Sequence, residues 1–206
     1  MSAFRFIRCR DGPDFQRRLR AHPGRRFDTL ESLDSACSGA DRFALITVEA
    51  DGLAVIPVRL PEAELSPAVA VTEGLVFVGL GDSIWAFSRM RGRLQYQYRM
   101  PEIFSAFLRV DEKGLVVADR RALVGLTPGG DELWCHIVDL AIDSVALRGD
   151  RASGETVDGA AFSLDLAENP NNTLPNQGRR LIPRTTGLRA RLGRLFRRRP
   201  QTIALR

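Results

Sequence analysis

The amino-acid sequence predicts a mainly β protein with short N-terminal helices and a basic C-terminal tail. Two observations lead to this fold class. A strand–turn–strand pattern occurs twice between residues 68 and 140, and residues 169–206 contain ten arginines and no acidic residue. Alternating apolar residues between glycine turns are typical of antiparallel meanders, and a period of about 40 residues is typical of propeller blades. We therefore expect a partial propeller-like antiparallel meander of two to three blades.

The two copies of the repeat align strand by strand. Residues 76–79 match residues 115–118 at a spacing of 39, and a one-residue deletion follows in the second copy. The further equivalent positions are Phe87 and Leu126, Gly92 and Gly130, and Tyr96 and Trp134. A decayed third copy is expected to begin with a strand at residues 145–147 and to continue through residues 162–166, with a closing turn at residues 167–172 that has lost its glycine.

The repeated segment resembles the PQQ-type (quinoprotein-like) β-propeller repeat over roughly residues 68–166. Ser88 and Thr127 stand where that family has an aspartate, and the family's threonine before the turn glycine is missing from both copies. The matching residues are Trp85, Ala86, Phe87, Gly92 and Tyr96 in the first copy and Val124, Gly125, Leu126, Gly130 and Trp134 in the second. The resemblance implies a fold and not an activity. Closed propellers have about 4–8 blades, so we expect an open, twisted sheet array or a ring completed by a second chain.

Chemistry at a cofactor or metal site has little support in the sequence. The quinoprotein enzymes hold their cofactor and a calcium ion with carboxylate and Asn ligands and often use a vicinal disulfide, and none of these features is found here. The three cysteines are scattered, and the two histidines are too few for a typical zinc site. Cys135 and His136 are neighbours on one predicted strand, so their side chains point to opposite faces and cannot form a nucleophile–base pair. We expect no cofactor, no metal and no enzymatic activity.

The N-terminal residues before the repeat predict two helices and a hairpin. Asp11 and Pro13 indicate the start of the first helix, and a second helix is expected from Phe27 to about Cys37. Both helices are expected to pack on the sheet or to cover one of its edges. Residues 43–48 and 53–58 predict a hairpin around an Asp-Gly turn. Pro57 indicates that the second strand lies at a sheet edge or ends at this residue.

Charge divides the chain into three predicted segments, although its net charge is only +5. The N-terminal helical segment is residues 1–42 with a net charge of +3, the β-repeat domain is residues 43–168 with −8, and the linker and basic amphipathic tail are residues 169–206 with +10. The acidic domain offers a surface that would steer a basic protein partner, and the alternative is a solvated acidic rim. The residues predicted to bind the partner are Asp111, Glu112, Asp119, Asp131 and Glu132.

The tail predicts an arginine-rich amphipathic helix that ends before Pro200. Such a helix binds an anionic membrane surface, a partner groove or nucleic acid, and the alternative is a disordered tail lying against its own acidic domain. The residues predicted to bind an anionic surface are Arg189, Arg191, Arg194, Arg197, Arg198 and Arg199.

These observations favour a non-enzymatic protein-interaction module. A bacterial partner-neutralising (immunity-like) protein is one form of it, by analogy with other small β-repeat proteins. The alternative function is a peripheral membrane or nucleic-acid adaptor anchored by the Arg-rich C-terminal helix, and a small hydrolase using His22 or His136 is a third. The first residues lack the apolar region of a signal peptide, and no 18 consecutive residues are apolar, so we expect a cytoplasmic protein with no small-molecule substrate.

Overall fold

The protein is mainly β, and its described residues form one helix and four sheets. The structure, a computed structural model, describes residues 3–31, 42–49, 52–60 and 66–166. We name the sheets A to D in chain order. Sheet A consists of β1 (Phe4–Arg8), β2 (Arg25–Arg26), β3 (Leu30–Glu31), β4 (Arg42–Glu49) and β5 (Leu53–Leu60), in the order β1-β4-β5-β2 with β3 also on β5.

The first predicted helix is confirmed as α1 (Gly12–Ala21). The carboxylate of Asp11 caps it by accepting a hydrogen bond of 2.7 Å from the Asp14 backbone N–H, and Pro13 occupies the first turn, where no N–H is needed. Phe15 of α1 packs on Leu45 and Val55 of sheet A. The helix therefore covers the outer face of sheet A.

The second predicted helix is wrong over the residues that the structure describes. Leu30–Glu31 form β3, which pairs in parallel with β5, and Arg25–Arg26 form β2 on the same strand. Between them, the Phe27 N–H donates to the Val55 carbonyl at 2.9 Å, so the sheet takes the backbone groups that a helix would have paired internally. Residues 32–40, which would complete the predicted helix, lie outside the described residues.

The predicted hairpin is confirmed as β4 and β5, but Pro57 does not mark an edge strand. β5 lies between β4 on one side and the short strands β2 and β3 on the other. β2 pairs with residues 54–55 and β3 with residues 58–59, so Pro57 falls in the gap between them. A proline is tolerated at that position because no neighbouring strand needs its missing N–H.

Sheets B and C are the two copies of the repeat. Sheet B consists of β6 (Ala68–Val71), β7 (Leu75–Leu80), β8 (Ser83–Ser88) and β9 (Leu94–Arg99), and sheet C of β10 (Phe104–Asp111), β11 (Gly114–Asp119), β12 (Ala122–Leu126) and β13 (Glu132–Ile137). Each is a four-stranded antiparallel meander in chain order. Ser88 and Thr127, which replace the family's aspartate, each accept a hydrogen bond from the backbone of the turn that follows.

Sheet D is the decayed third copy, and it has three strands: β14 (Ile142–Arg148), β15 (Arg151–Thr156) and β16 (Ala161–Asp165). The predicted strand at residues 145–147 lies within β14. The predicted closing turn at residues 167–172 and the whole C-terminal tail lie outside the described residues. The domain boundaries at residues 42 and 168 stay predictions, and β1 of the first segment pairs with β4 across the first of them.

Helix α1 and the four sheets pack face to face in chain order. Phe15 lies between α1 and sheet A, Phe87 between sheets A and B, Phe77 between sheets B and C, and Leu123 between sheets C and D. Each sheet between α1 and sheet D therefore buries both faces. This explains why β7, β8, β11 and β12 are almost entirely buried.

Aromatic rings of one sheet pack on turn glycines of the next. Gly92 (φ +65°) faces Phe27 of sheet A, and its equivalent Gly130 (φ +90°) faces Tyr96 of sheet B. A Cβ on Gly130 would lie 2.5 Å from the Tyr96 ring. Both turns therefore need glycine for their backbone conformation and for the close approach of a ring.

The outer face of sheet D is polar. Its exposed residues are Ser144, Ala146, Arg148, Arg151, Ser153, Glu155, Ala161, Ser163 and Asp165. That face lacks the large apolar side chains with which another sheet would pack. The array thus ends in a helix on one side and in a polar sheet face on the other, as the terminal units of repeat proteins do.

Candidate functional site

The meander topology sorts the connections into two opposite ends of the array. We call the end with the turns β6–β7, β8–β9, β10–β11, β12–β13 and β14–β15 the upper end. The lower end has the turns β7–β8, β11–β12 and β15–β16 and the two connections from sheet to sheet, residues 100–103 and 138–141. Loops held by packed sheets are the usual location of binding residues, so the two ends are the candidate surfaces.

The lower end is built around the buried carboxylate of Asp119 at the end of β11. This side chain is 0% exposed and accepts backbone hydrogen bonds from Glu102 at 2.9 Å, from Arg121 at 2.7 Å and from Ala122. Burial raises the pKa of the Asp119 carboxyl, and the three hydrogen bonds act in the opposite direction. Asp119 therefore ties the connection between sheets B and C to the β11–β12 turn.

The connection between sheets C and D is fixed to the same turn. The Val138 N–H donates to the Arg121 carbonyl at 2.7 Å, and the Ile142 N–H donates to the Arg120 carbonyl at 2.6 Å. Farther along, the Val157 N–H donates to the Ala141 carbonyl at 2.9 Å. The β11–β12 turn thus lies between residues 102–103 and residues 138–142, and residue 157 follows on the far side.

Four aliphatic side chains are exposed along this fixed framework, and we call them the aliphatic patch: Ile103, Ile137, Leu140 and Val157. Their exposed fractions are 38%, 39%, 45% and 64%. The patch was missed by the sequence analysis, although three of its members stand in connections, where polar turn residues are the rule. Several exposed apolar side chains at one end of a protein mark a candidate protein-binding site, whereas single ones need no explanation.

Two arginines accompany the aliphatic patch. Arg121 donates to the Asp139 carbonyl at 2.9 Å. The guanidinium of Arg120 is exposed and forms no hydrogen bond or ion pair with any residue in the described part of the chain. The lower end therefore combines aliphatic area with an unpaired cation at its centre.

The structure divides the five predicted partner-binding carboxylates between the two ends. Asp111, Glu112, Asp131 and Glu132 lie at the upper end, and Asp119 lies at the lower end. Asp119 does not belong to an exposed binding surface, because its side chain is completely buried. Its carboxylate oxygens accept hydrogen bonds from main-chain N–H groups instead. The pattern of acidic residues in turns did not separate an exposed carboxylate from one that stabilises the turn.

The four upper carboxylates have structural partners as well. Asp111 accepts from the backbone of Lys113 and Gly114, and Glu132 accepts a hydrogen bond of 2.6 Å from the Tyr98 hydroxyl. Glu112 accepts a hydrogen bond of 3.3 Å from the Glu73 backbone. Asp131 is exposed and contacts the Thr127 hydroxyl. These four carboxylates therefore stabilise turns or contact other side chains. The prediction that they bind a protein partner stays untested.

The predicted anionic-surface residues, Arg189, Arg191, Arg194, Arg197, Arg198 and Arg199, lie outside the described residues. The adaptor hypothesis that depends on them stays a prediction.

The described residues include no group of three His, Cys, Asp or Glu side chains placed to hold a metal ion. Cys135 is buried and His136, on the other face of β13, is half-buried. An open cleft of about 360 Å³ lies at the upper end between Pro23, Arg25, Phe27, Leu53 and Arg89. In the described part of the chain, no helix is long and apolar enough to cross a membrane.

The fold and both ends define this chain as a propeller-like β protein with two loop surfaces. No protein-family model matches it, and no curated protein does. Among solved structures it is similar to BamB from Moraxella catarrhalis, at 14% sequence identity and a TM-score of 0.33. The alignment covers 68% of this chain and 58% of the BamB chain, which is less than two thirds of that protein.

Proposed function

We propose that this protein is a non-enzymatic protein-interaction module whose partner docks on the lower end. The observation that supports this most is the aliphatic patch, which stays in solvent while each face-to-face contact between the sheets is filled with apolar side chains. Interface centres typically combine apolar side chains with arginine, and the lower end has both in the aliphatic patch, Arg120 and Arg121.

The framework under the patch suits this role. Within the β11–β12 turn, the buried Asp119 carboxylate accepts from the Arg121 and Ala122 N–H groups. It also accepts from Glu102 of one sheet-to-sheet connection, and the Arg121 carbonyl accepts from Val138 of the other. A surface that is already ordered loses little conformational entropy when a partner binds.

The test compares co-purification from native lysate by the full chain and by two matched double variants. The lower-end variant carries Leu140→Asp and Val157→Asp. The control carries Met90→Asp and Leu133→Asp, which lie at the upper end and are 69% and 57% exposed. We expect a stoichiometric protein to be captured by the wild type and the control and lost from the lower-end variant, with all three melting at similar temperatures. Retention of that protein by the lower-end variant would contradict the proposal.

The finer assignments are proposals that need their own tests. A partner-neutralising role in the cytoplasm requires that the captured protein be toxic when expressed alone and harmless when co-expressed with this chain. The adaptor alternative instead requires binding to anionic vesicles or nucleic acid that high salt and deletion of residues 179–206 both abolish.

A further inference from the structure

We propose that the lower end recognises a protein segment in which a single Asp or Glu is flanked by aliphatic residues, with Arg120 as the anchor for that carboxylate. This inference rests on the proposed function and adds the chemistry of the partner. Its starting point is the place of the exposed, unpaired Arg120 in the β11–β12 turn, which is hydrogen-bonded to the connections that carry Ile103 and Leu140.

Arg120 lies in the β11–β12 turn, between the two sheet-to-sheet connections of the lower end. Its neighbour Asp119 is bonded to the Glu102 backbone, next to Ile103. Its own carbonyl accepts from Ile142, two residues after Leu140. A guanidinium offers a bidentate site for a carboxylate, and covering the aliphatic side chains of the neighbouring connections would shield that site from water.

The other charges of the lower end explain why one carboxylate fits and several do not. Arg99 is paired with Asp82 at 2.7 Å, so it adds little free positive charge. Arg121 is exposed, and its guanidinium donates to the Asp139 carbonyl. The exposed carboxylates around the β11–β12 turn are those of Glu102, Asp139, Asp143 and Asp158. Because like charges repel, an acidic residue of the partner is favoured opposite Arg120 and disfavoured beside these carboxylates.

Aliphatic residues of the partner supply the remaining contact. Ile103, Ile137, Leu140 and Val157 are partly exposed, and covering them with other aliphatic side chains removes apolar area from water. A partner with arginine or lysine at the central position would instead meet the Arg120 guanidinium and be rejected.

The experiment is a selection from a phage-displayed library of random 16-residue peptides. The bait is the full chain, and counter-selection uses the full chain with Arg120→Glu. Both baits carry the same arginine-rich tail, so polyacidic peptides that bind the tail are removed. Enriched peptides are then measured by fluorescence polarisation against the wild type, Arg120→Ala, Leu140→Asp and the control Arg148→Ala, an exposed arginine on the outer face of sheet D.

We expect enriched peptides to carry one acidic residue between aliphatic residues. Their affinity should fall about tenfold or more in Arg120→Ala, as for an interface hot spot, and stay unchanged in Arg148→Ala. Peptides without acidic enrichment that bind Arg120→Ala normally but lose binding to Leu140→Asp would overturn this inference and leave the proposed function standing. Peptides insensitive to both variants would overturn both. Selection of no peptide above the counter-selected background would overturn the recognition of a linear segment.

Discussion

At the residue scale, Tyr96 and Tyr98 are two tyrosines on one strand with opposite hydrogen-bonding states. The Tyr98 hydroxyl donates to Glu132 at 2.6 Å and links sheets B and C. The Tyr96 hydroxyl is buried, has no hydrogen-bond partner among the described residues, and has a raised pKa because of that burial. A buried hydroxyl without a partner destabilises a fold, whereas a satisfied one stabilises it.

Tyr98→Phe should therefore lower the free energy of unfolding by about 1 kcal/mol, while Tyr96→Phe should leave it unchanged or raise it. The two variants remove the same atom from neighbouring positions, so each is the control for the other in urea denaturation. A larger loss for Tyr96→Phe would mean that its hydroxyl has a partner.

The ionisation of Asp14 in α1 should make the stability of the protein depend on pH in the acidic range. A backbone hydrogen bond from Arg10, followed by those from the Arg17 and Arg18 side chains, lowers the pKa of the Asp14 carboxyl to about 2. A lowered pKa means that the stabilisation is complete above the unfolded-state value of about 4 and is lost as the pH falls toward 2. The melting temperature of the wild type should fall more steeply between pH 4 and 2 than that of Asp14→Asn. Parallel curves would show that Asp14 titrates normally.

At the element scale, the turn of sheet C depends on the contact of Gly130 with sheet B. Gly130 and Gly149 both have positive φ, but a Cβ on Gly149 would meet no atom within 4 Å. Gly149→Ala should therefore cost about 1 kcal/mol of backbone strain alone, and Gly130→Ala should cost about 1–3 kcal/mol more from overlap with Tyr96. Chemical denaturation measures both. Equal losses would contradict the close packing of the ring on the turn.

The elements that the sequence predicted are those whose signal is local. The glycine turns and alternating strands of sheets B and C repeat at a fixed interval, so the strands followed from pattern alone. β2 and β3 have two residues each. They are strands because the edge of β5 that does not pair with β4 offers backbone hydrogen-bonding groups. That is a tertiary effect that a helical apolar pattern at Phe27 and Leu30 could not reveal.

The candidate site could be predicted only in part, because burial and the grouping of distant residues depend on the tertiary structure. Acidic residues in turns are visible in the sequence, but the sequence does not tell Asp119, which is buried, from Asp131, which is exposed. Ile103, Leu140 and Val157 are far apart in the sequence. They form one surface only because the meander places their connections at the same end.

At the scale of the whole molecule, one outer face of the array is covered by a helix and the other is polar. Helix α1 packs on sheet A, and sheet D presents a polar outer face, so neither side requires another sheet. This arrangement favours an open array over a ring completed by a second chain. The surfaces left for recognition are the two ends, and we propose the lower end as the binding surface because of the aliphatic patch.

The most direct test of this account is hydrogen–deuterium exchange of the full chain, alone and in complex with the partner recovered by the wild type. We predict that the partner slows exchange at residues 100–104, 119–121, 137–142 and 157–160, all at the lower end. Slowed exchange confined to the upper-end turns, or to the strands of sheet D, would contradict it and move the binding surface away from the aliphatic patch.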